Sequence, residues 1–557
     1  MTARSSNRRI RLLLCLFALV FAGTLARAVW LQGVQAGTLE RMATRQHVET
    51  EKIPAGRGTI FDRTGEPLAI GEQATTVYAD PREVENPRKV AIAAARVLDL
   101  DANKLYPQLA DRSRHFVYVR RKADPVDAAK LQKLNLPGLG FYPEERRTYP
   151  QRSVASHVLG YAGVDNDGLE GLEKSLESSL AGKPGSQTIV RDPFGRAIDV
   201  IATKPERAGA DVFLTIDHRI QAHAEAVLRA TVKQWGAKAA TAVVLDPHTG
   251  AVLAMANAPS FDANKFSAAS ADRRRNRAIT DTYEPGSTFK LVTVSGALSE
   301  KLVAPSTKFT LETSIQVADR IIHEHEPRPT QTMSVAQILS ESSNVGTITL
   351  AQLLGKDRLL DWIGRFGFGQ PTGVDFPGES SGILPGYWSG STIGNVPIGQ
   401  GIAVTPLQMA AAYGAIANGG TLHNPYLIER VGGQRRHRAP GRRVVSETVS
   451  AQVMTMLRDV VSAEGGTGAA AAVPGYTVAG KTGTAAKPEP GGYSTERYVA
   501  SFAGVVPAKD PRLVILVSVD EPKLAIWGGV VAAPAFSKIA QFGLQYLEVA
   551  PDADPQP

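Results

Sequence analysis

The N-terminus restricts this chain more than any other stretch. Leu12 to Ala26 is almost uninterrupted apolar sequence, Arg27 breaks it once, and Ala28-Val29-Trp30-Leu31 resumes it. About 20 apolar residues in a helix span the hydrocarbon of a bilayer. Arg4, Arg8, Arg9 and Arg11 precede the run with no acid among them, and a basic flank of this kind stays on the cytoplasmic side. Arg27 can reach the outer interface beside Trp30. Ala26-Arg27-Ala28 has the small-residue spacing of a signal-peptide cleavage site, but the apolar pattern runs past it. The expectation is a basic cytoplasmic tail over 1–11 and an uncleaved, single-pass anchor over 12–32 in the cytoplasmic (inner) membrane. Everything that follows is then extracytoplasmic.

The remainder is expected to be globular. The 557 residues are 43% hydrophobic and 21% charged, which excludes a disordered chain and allows two or three domains. A net charge of +8 raises nucleic acid as a partner. The arginines, however, cluster in short loops, Arg273-Arg274-Arg275 and Arg435-Arg436-His437-Arg438, without stacking aromatics. Loops near an anionic membrane or wall suit them better, and no nucleic acid is expected. The one cysteine, Cys15, lies in the anchor, so no intrachain disulfide or cysteine metal site exists.

Beyond the anchor, about 33–50 is polar and helix-prone and reads as a stalk. Ile60-Phe61, closed by Asp62-Arg63-Thr64-Gly65, reads as a strand and turn. Residues 83–137 alternate helical and short extended patches, a small α+β head. Asp217 is a good N-cap for a helix with Ile220, Ala224, Val227 and Leu228 on its apolar face. Thr241–Leu245 and Ala251–Ala256 bracket Asp246-Pro247-His248-Thr249-Gly250 as a β-hairpin. The middle, about 287–470, is mainly helical. Three strands follow, Thr477–Ala486, Tyr498–Val506 and Leu513–Val519, and then a helix over Ala535–Leu547. The polar end, 550–557, is expected to be disordered.

One stretch carries the chemistry. In Tyr283-Glu284-Pro285-Gly286-Ser287-Thr288-Phe289-Lys290, Pro285 and Gly286 break the chain ahead of the apolar run Leu291-Val292-Thr293-Val294. That is a turn opening into a buried helix, with Ser287 in its first turn and Lys290 on the same face. A serine hydroxyl needs a base to become a nucleophile. A lysine whose charge is suppressed by burial and cationic neighbours can be that base. Ser-x-x-Lys alone is weak. It is followed by Ser342-Ser343-Asn344 and by Lys481-Thr482-Gly483-Thr484. In a strand, Thr482 and Thr484 share one face and could hold a carboxylate, while Gly483 lets a substrate backbone approach.

These three motifs, in this order, resemble those of the penicillin-binding proteins and serine β-lactamases. Arg57-Gly58-Thr59-Ile60-Phe61-Asp62-Arg63-Thr64-Gly65, Arg147-Thr148-Tyr149-Pro150 with His157-Val158-Leu159-Gly160, and Gly168-Leu169-Glu170-Gly171-Leu172-Glu173 resemble landmarks of the class B branch. The resemblance implies an α+β protein. Its parts would be an N-terminal membrane helix, an elongated α+β pedestal of dimerisation type over 33–213, and a penicillin-recognising transpeptidase domain over 214–549. That domain would have an antiparallel five-stranded sheet flanked by helices, plus a helical subdomain. The implied activity is peptidoglycan D,D-transpeptidation through a serine acyl-enzyme, with β-lactams as inhibitors and no cofactor. The resemblance assigns catalysis to Ser287, Lys290, Ser342, Asn344 and Lys481, and substrate binding to Thr482, Gly483 and Thr484. Backbone N–H groups of Ser287 and Thr484 would form the oxyanion hole. Partners implied are stem peptides, the bilayer, a membrane glycan polymerase and other divisome membrane proteins.

Asn276-Arg277-Ala278-Ile279-Thr280-Asp281 ahead of the serine stretch resembles the septal, cell-division members. A wall-elongation or sporulation paralogue and a non-catalytic divisome scaffold are the other readings. His157 is read as structural. His323-Glu324-His325-Glu326 has metal-ligand residue types, but a third partner is not evident, so an exposed polar strand or loop without metal is expected. Trp527-Gly528-Gly529 stands where relatives often carry tyrosine, which leaves acceptor selectivity open.

Overall fold

The computed structural model describes residues 3–38, 48–191, 197–462 and 466–553. The chain divides into two compact units, residues 1–56 with 182–208, and residues 57–181 with 209–557.

In the first unit a helix over Ala3–Val29 continues as a wider turn over Trp30–Val34. Among the described residues, Asn7–Val34 is the one helical stretch long and apolar enough to cross a membrane. The expected stalk is only partly helical: residues 39–47 lie outside the described set, and Val48–Ile53 is a strand. It pairs antiparallel with Gly185–Arg191, which pairs in turn with Ala197–Lys204. A β partner nearly 140 residues away overrides local helix propensity here.

The second unit holds the rest of the pedestal and the large domain. Its pedestal sheet is built on the long strand Pro67–Ala79, which pairs with Val117–Ala123 and Leu139–Thr148. Helices Pro87–Leu98, Ala102–Ala110 and Pro125–Gln132 start at the N-caps Asn86, Asp101 and Asp124. They close a small core of Val77, Val90, Ala94, Leu109, Val119 and Leu131. Three sequence landmarks meet below this head. Glu173, fully buried, accepts from Arg57 Nε at 2.7 Å and from Arg147 Nε at 2.6 Å. Asp62 caps its own turn and accepts from His218 Nδ1 at 2.6 Å, which ties the turn to the helix His218–Trp235. His157 is buried beside the Arg273 carbonyl at 3.0 Å, as a packed structural residue.

The large domain carries a five-stranded, fully antiparallel sheet. Its spatial order is Val252–Ala258, Ala239–Leu245, Leu513–Asp520, Gly492–Val506, Ala479–Glu489. Ala239–Leu245, Val252–Ala258 and Leu513–Asp520 are buried on both faces, so they read as nearly continuous apolar runs. Ala242 and Val244 face the helices His218–Trp235 and Ala533–Tyr546, whereas Val243 and Leu245 face the helical subdomain. That subdomain includes helices Lys290–Ser299, Asn344–Leu354, Lys356–Arg365, Pro406–Ala417 and Glu447–Ser462. It also holds two antiparallel strand pairs that helical periodicity does not foresee, Lys308–Leu311 with Gln331–Ser334, and between them the hairpin Ser314–Val317 with Arg320–His323.

The expected disordered tail is ordered at least to Ala553. Asp552 accepts from the Thr477 N–H at 2.6 Å, and Lys509 donates to the Asp552 carbonyl at 2.9 Å. The carboxylate meets a backbone donor and the carbonyl meets a cation, and charge-assisted bonds of this kind fix the segment despite its polar composition.

Candidate active site

The serine turn is held from three sides. Tyr283 pairs with Val404 through both of its backbone groups, at 3.0 and 2.9 Å. Gly286 adopts φ +54° and donates to the Gly399 carbonyl at 3.0 Å. Thr288 Oγ1 donates to the Pro285 carbonyl at 2.7 Å, and buried Tyr413 donates to the Thr288 carbonyl at 3.0 Å. The result is a tight 3₁₀ turn over Gly286–Phe289, with the α-helix starting only at Lys290. Ser287 therefore sits in the 3₁₀ turn rather than in the first α-helical turn. It is half-buried, while Lys290 is fully buried.

Lys290 points its amine at the second motif. Nζ lies 2.6 Å from the Ser342 carbonyl, 3.3 Å from Ser342 Oγ and 2.8 Å from Asn344 Oδ1. Ser342 reaches this geometry through a left-handed backbone, φ +64°, which costs a non-glycine residue about 1–2 kcal/mol. Burial, reinforced by positive Lys481 and opposed by Glu324, holds Lys290 well below the usual lysine range. Lys481, fully buried on the edge strand Ala479–Glu489, is lowered by burial to about 7.

The third motif packs directly on the serine turn. A Cβ at Gly483 would meet the Pro285 carbonyl at 2.8 Å, and one at Gly286 would meet the Thr484 carbonyl at 3.0 Å. Only glycine lets the edge strand come this close. Thr482 and Thr484 share the strand face turned to Gly528-Gly529. Thr482 Oγ1 is 2.9 Å from Thr467 Oγ1, and Thr484 Oγ1 accepts from the Gly528 N–H at 3.1 Å. That bond leaves the Thr484 hydroxyl proton free for an anionic ligand. Trp527, at the rim, meets the edge of the His325 ring with centroids 4.5 Å apart.

The residues assigned from the sequence thus gather at one place: Lys290 against Ser342 and Asn344, and the Lys481–Thr484 strand against the serine turn. What sequence reading missed is Glu324. The segment 323–326 was expected to be an exposed polar strand or loop. His323, His325 and Glu326 are exposed, but Glu324 is buried at 8% exposure. Its Oε1 accepts from Ser343 Oγ at 2.5 Å and its Oε2 from the Asn344 N–H at 2.7 Å. The signal for it is physical: a charge is buried only where partners await it.

A serine turn, a buried lysine paired with a Ser-x-Asn turn, and a Lys-Thr-Gly strand on a five-stranded antiparallel sheet define a penicillin-binding transpeptidase domain. Residues 240–541 match the penicillin binding protein transpeptidase domain family, and residues 52–214 match the penicillin-binding protein dimerisation domain. The chain belongs to the class B penicillin-binding protein family. Among similar proteins, the probable peptidoglycan D,D-transpeptidase PenA of Neisseria meningitidis is 35% identical over 98% of this chain and 94% of its own length. The peptidoglycan D,D-transpeptidase FtsI of Escherichia coli is 34% identical over 98% and 93%. Stage V sporulation protein D of Bacillus subtilis is 34% identical over 98% and 86%. Penicillin binding protein 3 of Mycobacterium tuberculosis, solved with aztreonam, superimposes with a TM-score of 0.71 at 32% identity, covering 90% of this chain and 98% of that one.

Proposed function

We propose that this chain is a membrane-anchored peptidoglycan D,D-transpeptidase acting in septal wall synthesis, and that β-lactams acylate it at Ser287. The observation that carries the chemistry is the buried Lys290 amine, placed one turn from Ser287 and held by Ser342 and Asn344. In this reading Ser287 Oγ attacks the penultimate carbonyl of a stem peptide ending in D-Ala-D-Ala, and Lys290 takes its proton. The backbone N–H groups of Ser287 and Thr484 stabilise the oxyanion. Ser342 passes the proton to the departing D-alanine, with Lys481 setting the charge of that relay. The acyl-enzyme ester is then attacked by an amine of a neighbouring stem peptide, which forms the cross-link and frees Ser287. Asn344 orients Lys290 and the donor backbone. Thr482 and Thr484 bind the terminal carboxylate, with Gly483 leaving room for the peptide.

The septal role is supported by the Asn276–Asp281 segment and by the likeness to FtsI. A relative named for sporulation is equally similar, so overall identity does not choose between them. In the same reading, 12–32 anchors the chain in the cytoplasmic membrane, 33–213 docks the membrane glycan polymerase and divisome proteins, and 214–549 works on the wall. The decisive experiment is peptide mapping after labelled penicillin, together with mass analysis after a D-Ala-D-Ala donor. An adduct on Ser287 from both supports the reading; its absence from folded protein overturns it. A fluorescent fusion that stays along the side wall of dividing cells would overturn the septal assignment alone.

A further inference from the structure

Lys290 is held by a turn that is itself held by two adjacent residues, His323 and Glu324. The Asn344 side-chain amide donates to the His323 carbonyl at 3.2 Å, which turns Oδ1 toward Lys290. The Asn344 backbone N–H donates to Glu324. Ser343 Oγ gives its proton to Glu324 and accepts from the Gly346 N–H at 2.9 Å, which caps the helix Asn344–Leu354. Both carboxylate oxygens of Glu324 are thus spent on the two residues that follow Ser342. We infer that Glu324 is a positioning residue for acylation: its buried carboxylate fixes the Ser342–Asn344 turn against Lys290 and supplies negative charge to a cleft crowded with cations.

The charge argument stands on the surroundings. Lys290 from the serine helix, Lys481 from the edge strand and Arg328 from the loop after Arg320–His323 bring three positive groups together. Arg328 has its own partner, Glu341, at 3.6 Å. His325 and Glu326 follow Glu324 on the same loop, and His325, held below the usual histidine range by burial, also faces the charges of Lys290, Glu326, Lys481 and Glu324. Glu324 favours the protonated form of Lys290, whereas Lys481 and Arg328 disfavour it. Removing only the charge of Glu324 therefore has a signature that loosened packing lacks. The pH at which Lys290 becomes a base should fall.

The inference rests on the proposal that Ser287 is acylated with Lys290 as base. Labelled penicillin on the wild-type full chain in detergent tests that first; a wild type that does not acylate defeats the function, not Glu324. The acylation rate of Glu324→Gln is then measured against pH. The rising limb should move to lower pH by roughly one unit, and the plateau should fall about tenfold or more as the charge-assisted bonds weaken. Glu324→Asp keeps the charge but shortens the reach. Its limb should stay in place while its plateau falls. If Glu324→Gln does not fold, Glu324→Asp alone decides, and an unchanged plateau overturns the inference. With a folded Glu324→Gln, an unmoved rising limb overturns it.

Discussion

Lys290 Nζ meets Asn344 Oδ1 at 2.8 Å, across 54 residues of sequence. This contact joins the serine helix to the helix that begins at Asn344, so the position of the amine is set by packing between two helices and not by the serine turn alone.

Lys290→Ala should reduce acylation of Ser287 by about 10²–10⁴-fold, the usual cost of losing a placed general base. Asn344→Ala leaves the amine and removes one of its acceptors. It should cost about tenfold, the worth of one hydrogen bond to a charged group. Stopped-flow acylation with a fluorescent penicillin measures both. An Asn344→Ala loss as deep as that of Lys290→Ala would show that the asparagine does more than orient.

Thr484→Ala keeps the backbone N–H and deletes the hydroxyl. Substrates bearing a carboxylate should lose about 1.5–3 kcal/mol of recognition, and a carboxylate-free analogue should lose far less. Paired acylation kinetics with the two compounds separate these outcomes. Equal losses would remove the carboxylate from the role assigned to Thr484.

The acylation rate should be bell-shaped in pH. Both lysines shed a proton as pH rises. Lys290, held well below the usual range by burial, gains base character as it loses its proton, so the rate climbs. Lys481, lowered to about 7, loses the positive charge needed for the relay and the carboxylate, so the rate then falls through that region. The two limbs belong to the interacting pair rather than to either residue. Lys481→Arg, which cannot deprotonate, should keep a rising limb and lose the fall. A fall that persists near pH 7 in that variant would place it on another group.

Glu173→Ala strips the shared acid from buried Arg57 and Arg147. Arg57 keeps Glu177 at 2.8 Å, but Arg147 loses its acid, and leaving a buried charge unpaired costs about 3–5 kcal/mol. Chemical denaturation should show a loss of that size, with the acylation rate of the folded fraction unchanged. A loss below about 1 kcal/mol would mean that the arginines find other partners.

The site was legible because its three motifs are local patterns with defined chemistry, and most of the sheet because three of its strands are nearly unbroken apolar runs. The first half of the strand Gly492–Val506 was not legible: Gly492–Arg497 is mostly polar, and pairing beyond Pro490-Gly491 sustains it. Glu324 was hidden for a related reason. Its partners lie 19 and 20 residues on, past the strand Gln331–Ser334 and the helix Val335–Ser340, and the neighbouring histidines give it the look of a metal-type motif. The contact Arg57–Glu173–Arg147 likewise spans distances at which no period survives, although each landmark was visible alone.

The glycines around Ser287 bear on how such a protein can change under antibiotic selection. A Cβ at Gly399 would fall 2.1 Å from the Gly286 carbonyl oxygen, and one at Gly528 would fall 2.3 Å from that of Ser501. Any other residue there displaces the backbone of the serine turn or of the strands beside it, so on the reading that wall peptide and β-lactam share this site, drug escape by that route would also impair wall synthesis. Exposed His325 and Trp527, the latter 41% accessible, meet ring to ring at the rim, outside that backbone packing. Serial passage under a β-lactam should therefore collect target-site substitutions at this aromatic rim and spare Gly286, Gly399 and Gly528.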